Sequence, residues 1–128
     1  MNEPYINYEH IDKLALGLKK STRDEAIRKV EAAIRYMHAN WNRPLTIREI
    51  ATHVSSGESR FHYLFKVLTG RSPYEYITGL KMEKALDLQR SQHYNWTEIA
   101  ELCAYTDISA FSKQFKKHYG VSPKNFSK

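Results

Sequence analysis

The chain repeats itself. Ser59, Phe61, Phe65, Lys66, Gly70, Ser72, Pro73 and Tyr76 recur 50 residues later as Ser109, Phe111, Phe115, Lys116, Gly120, Ser122, Pro123 and Phe126. Upstream, Thr46, Ile47, Glu49, Ile50 and Ala51 recur 49 residues later as Asn95, Trp96, Glu98, Ile99 and Ala100. The offset changes by one between Ala51 and Ser59, where a turn absorbs an insertion easily. The matched positions fall at element boundaries or on one apolar face, so the duplicated object is a structural unit. Each copy reads as a capped short helix, a tight turn, a longer helix, a glycine stop and a Ser-Pro restart. That order describes a helix-turn-helix, present twice.

Helical periodicity dominates the rest of the chain, with no alternating strand pattern. Ile27, Val30, Ile34, Met37 and Trp41 recur at three- and four-residue steps and predict one helical face. Thr22 followed by Glu25 predicts a capping box at the start of that helix, and Asn40 with Pro44 closes it. A second box, Thr46 to Glu49, opens a short helix with Ile47, Ile50, Ala51 and Val54 inward, ended by Ser55, Ser56 and Gly57. A third helix runs through Phe61, Leu64, Phe65 and Leu68 to Gly70. Ser72-Pro73-Tyr74-Glu75 then supplies an N-cap, a proline at the first helical position and a glutamate at the third. The fourth helix so opened should reach about Arg90, with Gly79 its weakest residue.

At 128 residues and 41% apolar content, the chain suits one ordinary domain or two very small ones sharing a helix. The expected class is all-α. Residues 22–71 and 93–128 form two helix-turn-helix subdomains, 72–92 are a linker helix, and 1–21 are an N-terminal extension. Tyr5, Ile6, Tyr8, Ile11, Leu14, Leu16 and Leu18 make that extension too apolar for a free tail, so it is expected to dock on the bundle or on a partner.

The net charge of +6 favours a polyanionic partner without identifying one. Its distribution says more. Residues 1–21 balance Glu3, Glu9 and Asp12 against Lys13, Lys19 and Lys20, so the whole excess lies in 22–128. After Asp107 no acidic side chain remains, while Lys113, Lys116, Lys117, Lys124 and Lys128 all fall there.

Other chemistries find little support. The single cysteine, Cys103, allows no internal disulfide and, between Leu102 and Ala104, reads as a small buried hydrophobe. The six histidines (10, 38, 53, 62, 93 and 118) lack paired metal-ligand spacing. No phosphate-cradling glycine loop or paired-carboxylate constellation stands out, so no catalytic residue, metal or cofactor is expected. No apolar run approaches a membrane span and the N-terminus lacks the order of a signal peptide, which gives a cytoplasmic expectation.

In a helix-turn-helix the second helix enters the major groove and its outward face reads. With Phe61, Leu64, Phe65 and Leu68 inward, the first such helix turns Ser59, His62, Tyr63 and Lys66 outward. With Phe111 and Phe115 inward, the second turns out Ser109, Ser112, Lys113 and Lys116, with Lys117 beside them. Lysine can donate to guanine O6 or N7 and serine can serve either role at a base edge. Arg60, Lys66, Lys116, Lys117 and Lys124 are the phosphate candidates. The first face carries Glu58, His62 and Tyr63 with little net charge, whereas the second is basic. The first is therefore expected to discriminate more and the second to grip more.

Together these residues resemble the AraC/XylS family of bacterial transcription regulators over roughly 24–128. The resemblance rests on Ile50-Ala51, on Phe65-Lys66 with Gly70-x-Ser72-Pro73-x-x-Tyr76, on Ile99-Ala100, and on Ser109-x-Phe111-x-x-x-Phe115-Lys116 with Gly120-x-Ser122-Pro123. It implies seven helices, the fourth joining two helix-turn-helix subdomains. It also implies base-reading positions at Ser59, His62 and Tyr63, and at Ile108, Ser109, Ser112 and Lys113. Four positions depart from the family pattern: Ala104-Tyr105 where Gly-Phe is usual, Ser56-Gly57 where an apolar residue precedes a serine cap, Lys81 for arginine, and Gln89 for leucine. The implied partners are double-stranded DNA, bound as a monomer on a non-palindromic site, and RNA polymerase. Dimerisation would fall to residues 1–21 or to a domain that this chain does not carry. The rival expectation is a helical protein-interaction adaptor that keeps the fold without reading DNA.

Overall fold

The computed structural model describes residues 19–126; expectations for residues 1–18 and 127–128 lie outside the described residues. Six α-helices follow one another: α1 (Lys20–Asn40), α2 (Ile47–His53), α3 (Glu58–Thr69), α4 (Pro73–Ser91), α5 (Trp96–Leu102) and α6 (Ile108–Tyr119). A 3-10 turn, Pro123–Asn125, is the seventh element, and no strand occurs among the described residues. The all-α expectation holds.

Two compact units emerge. Of the described residues, one takes those up to Ala39 together with Leu45–Tyr76; the other takes Asn40–Pro44 and those from Ile77 on. The first turn of α4 thus belongs to the first unit and the rest of α4 to the second.

In the first unit, Val30, Ala33 and Met37 of α1 are fully buried, as are Ile50 of α2 and Phe65 of α3. Phe65 meets Phe61 at 5.6 Å and the edge of Tyr76 at 5.6 Å, and the Tyr76 hydroxyl lies 3.0 Å from His38 Nε2. Ile27 and Ile47, expected inward, are half-buried. Two further expectations for α1 are corrected. The helix opens two residues before Thr22, because Arg23 N already donates to Lys19 O at 3.0 Å. Thr22 lies within the first turn and is no cap, and Glu25 faces Lys29 one turn on at 3.8 Å. Trp41 falls past the end of α1 and packs against the core of the second unit.

That second core gathers Met82, Ala85, Ile99, Ala100, Cys103, Phe111 and Phe115, with Trp41, Leu88, Trp96, Tyr105, Tyr119 and Phe126 at its edge. Phe115 is its hub, with Trp96 at 5.2 Å, Tyr119 at 4.8 Å and Phe126 at 5.5 Å. Tyr119 donates its hydroxyl proton to Met82 O at 3.0 Å; burial, then Glu83, raises its phenol above the usual tyrosine value. Cys103 has no exposed surface, and burial pushes its thiol up to about 11. It is the packed hydrophobe that its neighbours suggest.

The two turns share one geometry. After α2, Ser55 N donates to Thr52 O at 3.0 Å and Ser56 N to Ala51 O at 2.9 Å. After α5, Ala104 N donates to Glu101 O at 2.9 Å and Tyr105 N to Ala100 O at 3.0 Å. Both are Schellman motifs, which place their pivotal residue in the left-handed region. Ser55 stands there at φ 58° and Ala104 at φ 67°. The second turn therefore keeps its shape although alanine replaces the usual glycine, at a steric cost of about 1–2 kcal/mol. Ala104→Gly removes that clash but adds chain entropy to the unfolded state, so a net gain of about 0.5–1 kcal/mol is expected. Thermal unfolding followed by circular dichroism should show a midpoint higher by about 2–4 °C. An unchanged or lower midpoint would mean that the methyl group packs more favourably than its backbone is strained.

Candidate nucleic-acid interface

Each turn aims a longer helix. In α3, Phe61, Leu64, Phe65 and Leu68 are buried, which leaves Ser59, Arg60, His62, Tyr63 and Lys66 exposed on the remaining surface. Among the described residues Tyr63 is the most open of the large apolar side chains, at 64% of its surface. In α6, buried Phe111 and Phe115 leave Ile108, Ser109, Lys113, Lys116 and Lys117 exposed. Ser112, expected outward, is half-buried beside Phe111 in sequence.

The two helices start differently. Gly57 caps α3 without a side chain, whereas Asp107 Oδ1 accepts from Ala110 N at 2.8 Å at the start of α6. Both end on glycine in the left-handed region, Gly70 at φ 81° and Gly120 at φ 84°. The short helices ahead of them are anchored more alike. Thr46 Oγ1 accepts from Glu49 N at 3.0 Å, and the Glu49 carboxylate accepts from the Tyr36 hydroxyl at 2.6 Å. Asn95 and Glu98 form the full reciprocal box, each bond 2.8 Å.

The restart after α6 differs from expectation. Ser122-Pro123 opens a single 3-10 turn, with Asn125 N bonded to Ser122 O and Phe126 N to Pro123 O, both at 3.1 Å. The amides of Asn125 and Phe126 are spent within the turn, and the Lys124 ammonium stands exposed beside it. The corresponding Ser72-Pro73 restart opens a true helix because Glu75 closes the box there, its carboxylate 2.9 Å from Ser72 N.

Two charged contacts lay outside the sequence reading. Arg48 of α2 pairs with Glu58 at the start of α3, 3.5 Å apart, on open surface. Glu58, Ser59, His62 and Ile47 line one open hollow. In the second unit, buried Lys81 donates to Trp41 O, to Arg43 O at 3.4 Å and to Cys103 O at 2.9 Å. Among the described residues no group of three metal-capable side chains comes together. No described helix is long and apolar enough to cross a membrane.

Two helix pairs with equivalent turns, each second helix presenting a polar face above a phenylalanine stripe, define a doubled helix-turn-helix module. The family model described as a helix-turn-helix domain matches residues 50–128, and the chain belongs to that family as an AraC/XylS-type DNA-binding domain. It is similar to an AraC-type DNA-binding domain-containing transcriptional regulator of Chromobacterium violaceum: 26% identity, TM-score 0.70, 76% of this chain and 87% of that one. The DNA-binding domain of AdpA, solved with a target DNA, shares the fold at TM-score 0.71 and 19% identity, over 74% of this chain and 86% of that one. The raffinose operon transcriptional regulatory protein RafR of Pediococcus pentosaceus is 29% identical over 75% of this chain and 35% of its own length. The chain spans a little over a third of the curated relatives that it matches first.

Asp107 is the only acid flanking α6, and its carboxylate fixes the first turn of that helix. Asp107→Ala should cost about 1 kcal/mol, the usual loss for removing an N-cap acceptor. Urea unfolding measures it; a midpoint identical to that of the parent chain would show that the cap carries no stability.

Proposed function

We propose that this chain regulates transcription by sequence-specific binding to double-stranded DNA, α3 and α6 each entering a major groove, the two grooves successive along the duplex. The observation that carries this reading is the surface of α6. Ser109, Lys113, Lys116 and Lys117 stand exposed there, over a fully buried pair of phenylalanines. An α-helix fits the major groove, where base edges present distinct donor and acceptor patterns and phosphates line the rim. Hydroxyls and ammonium groups on one helix face complement both. Ser59, His62, Tyr63, Ile108, Ser109, Ser112 and Lys113 are the base-reading set, and Arg60, Lys66, Lys116, Lys117 and Lys124 grip phosphate. RNA polymerase is the further partner of this reading, and a bacterial nucleoid its place of work.

Reading and gripping separate experimentally. Lys113 lies one turn after Ser109 and is assigned to a base edge or its adjoining phosphate. Lys124 is assigned to phosphate alone. Lys124→Ala should weaken all duplexes equally and reduce the slope of log affinity against log salt by roughly one unit. Lys113→Ala should cost about 1–3 kcal/mol on the preferred duplex and relax discrimination at one or two base pairs. Titration of both variants against a preferred and a scrambled duplex at several salt concentrations decides it. Equal losses on both duplexes for Lys113→Ala would make α6 a grip only. An adaptor that does not touch DNA would show no salt-dependent duplex binding at all.

One chain carries both reading helices, so a single copy should occupy a site without two-fold symmetry. Sedimentation on a minimal selected duplex is expected to give a 1:1 complex; an obligatory 2:1 complex on an inverted repeat would overturn that.

A further inference from the structure

We propose that Glu58, held by Arg48, is a base-discriminating residue of the first unit, selecting a cytosine through its exocyclic amino group. The inference rests on the DNA reading above and deepens it. Glu58 is the first residue of α3 and shares one open hollow with Ser59 and His62, so it stands on the same surface as two of the reading candidates. A bare carboxylate there would repel the phosphates that the lysines attract. Arg48 answers that charge: its Nε lies 3.5 Å from Glu58 Oε1 while both side chains stay open to solvent, at 84% and 53%. The pair is neutral as a whole, and its outer face still offers carboxylate lone pairs.

An ionised carboxylate only accepts hydrogen bonds. In the major groove guanine presents acceptors, and thymine an acceptor and a methyl group, so neither can satisfy it. Adenine offers its amino group beside the N7 acceptor, which repels a second acceptor. Cytosine offers its N4 amino group with no acceptor on its own edge, and is the base that a glutamate suits. Glu58 thus rejects three bases by unsatisfied or repulsive contacts and accepts one.

The test is selection from a random duplex pool by the full chain and by Glu58→Ala, Glu58→Gln and Arg48→Ala, followed by titration. The parent chain should enrich cytosine at one position within the site of α3. Glu58→Ala should lower discrimination at that position about tenfold and raise affinity for a scrambled duplex roughly threefold by removing a negative charge. Glu58→Gln, which can donate as well as accept, should shift the preference toward adenine. It also keeps the test valid if the alanine variant fails to fold. Arg48→Ala should weaken both duplexes alike and leave the base preference in place. A Glu58→Gln chain that keeps the parent preference at every position overturns the proposal and leaves DNA reading intact. A parent chain with no salt-dependent duplex binding overturns both.

Discussion

A buried ammonium organises the second unit. Lys81 is 8% exposed and has three protons to place, and three backbone carbonyls receive them: Trp41 and Arg43 just past α1, and Cys103 at the end of α5. Each hydrogen bond from a charged donor contributes about 1.5–3 kcal/mol. Against that stands desolvation, which pushes the ammonium below the usual lysine value, with Cys103 acting the other way. The contact is reciprocal, since Cys103 Sγ donates weakly to Lys81 O at 3.6 Å. Cys103 is also the residue before Ala104, where the second turn pivots. The direction of α6 therefore depends on a carbonyl whose position is fixed by Lys81. Arginine is usual at this place in the family, but a planar guanidinium fork suits carbonyls in a plane, whereas an ammonium suits three that converge from different sides.

The turns show how one geometry survives different sequences. A Schellman motif needs a left-handed residue, and glycine is the least strained choice. Neither Ser55 nor Ala104 is glycine, yet both hold the same pair of backbone bonds. The strain is outweighed by what surrounds it. In the first unit Lys29 of α1 donates to Ser55 O at 2.9 Å; in the second, Lys81 anchors the residue ahead of Ala104. A lysine from outside the turn thus stabilises each one, through different atoms.

Much of this was legible in the sequence, and the misses share a cause. Where a helix buries one stripe, as α3 does through Phe61, Leu64, Phe65 and Leu68, spacing alone separates core from surface. Helix α4 buries Ile77, Leu80, Lys81, Met82 and Ala85, including three consecutive residues, which no single stripe can contain. Periodicity therefore could not mark Lys81 as buried. Thr22 and Glu25 had the spacing of a capping box, but local spacing cannot exclude an earlier start when Lys19 O is free to accept. The Ser122-Pro123 restart copied Ser72-Pro73 but lacked an acid three residues on, and that one difference accompanies the change from α-helix to 3-10 turn. Arg48 and Glu58 lie ten residues apart across a turn, a separation with no helical signature, so only the folded chain pairs them.

The two units then differ in the kind of selectivity that they can supply. The α3 surface balances Glu58 against Arg48, adds His62 and Tyr63, and keeps only Arg60 and Lys66 to grip phosphate, so contacts made there release fewer counterions and respond less steeply to salt. The α6 surface, with Lys113, Lys116 and Lys117 and no acid beyond Asp107, releases several and responds steeply. Under the DNA-binding reading, rising salt removes affinity mainly from the second unit, while discrimination at the first persists because donor and acceptor matching at a base edge does not depend on screening length. Low salt does the reverse: the lysines hold many sequences and the carboxylate of Glu58 distinguishes fewer of them in effect, since grip then dominates the total. A chain built in this way is most selective where its basic helix alone is too weak to hold DNA, so that occupancy requires the reading helix of the first unit to be satisfied as well.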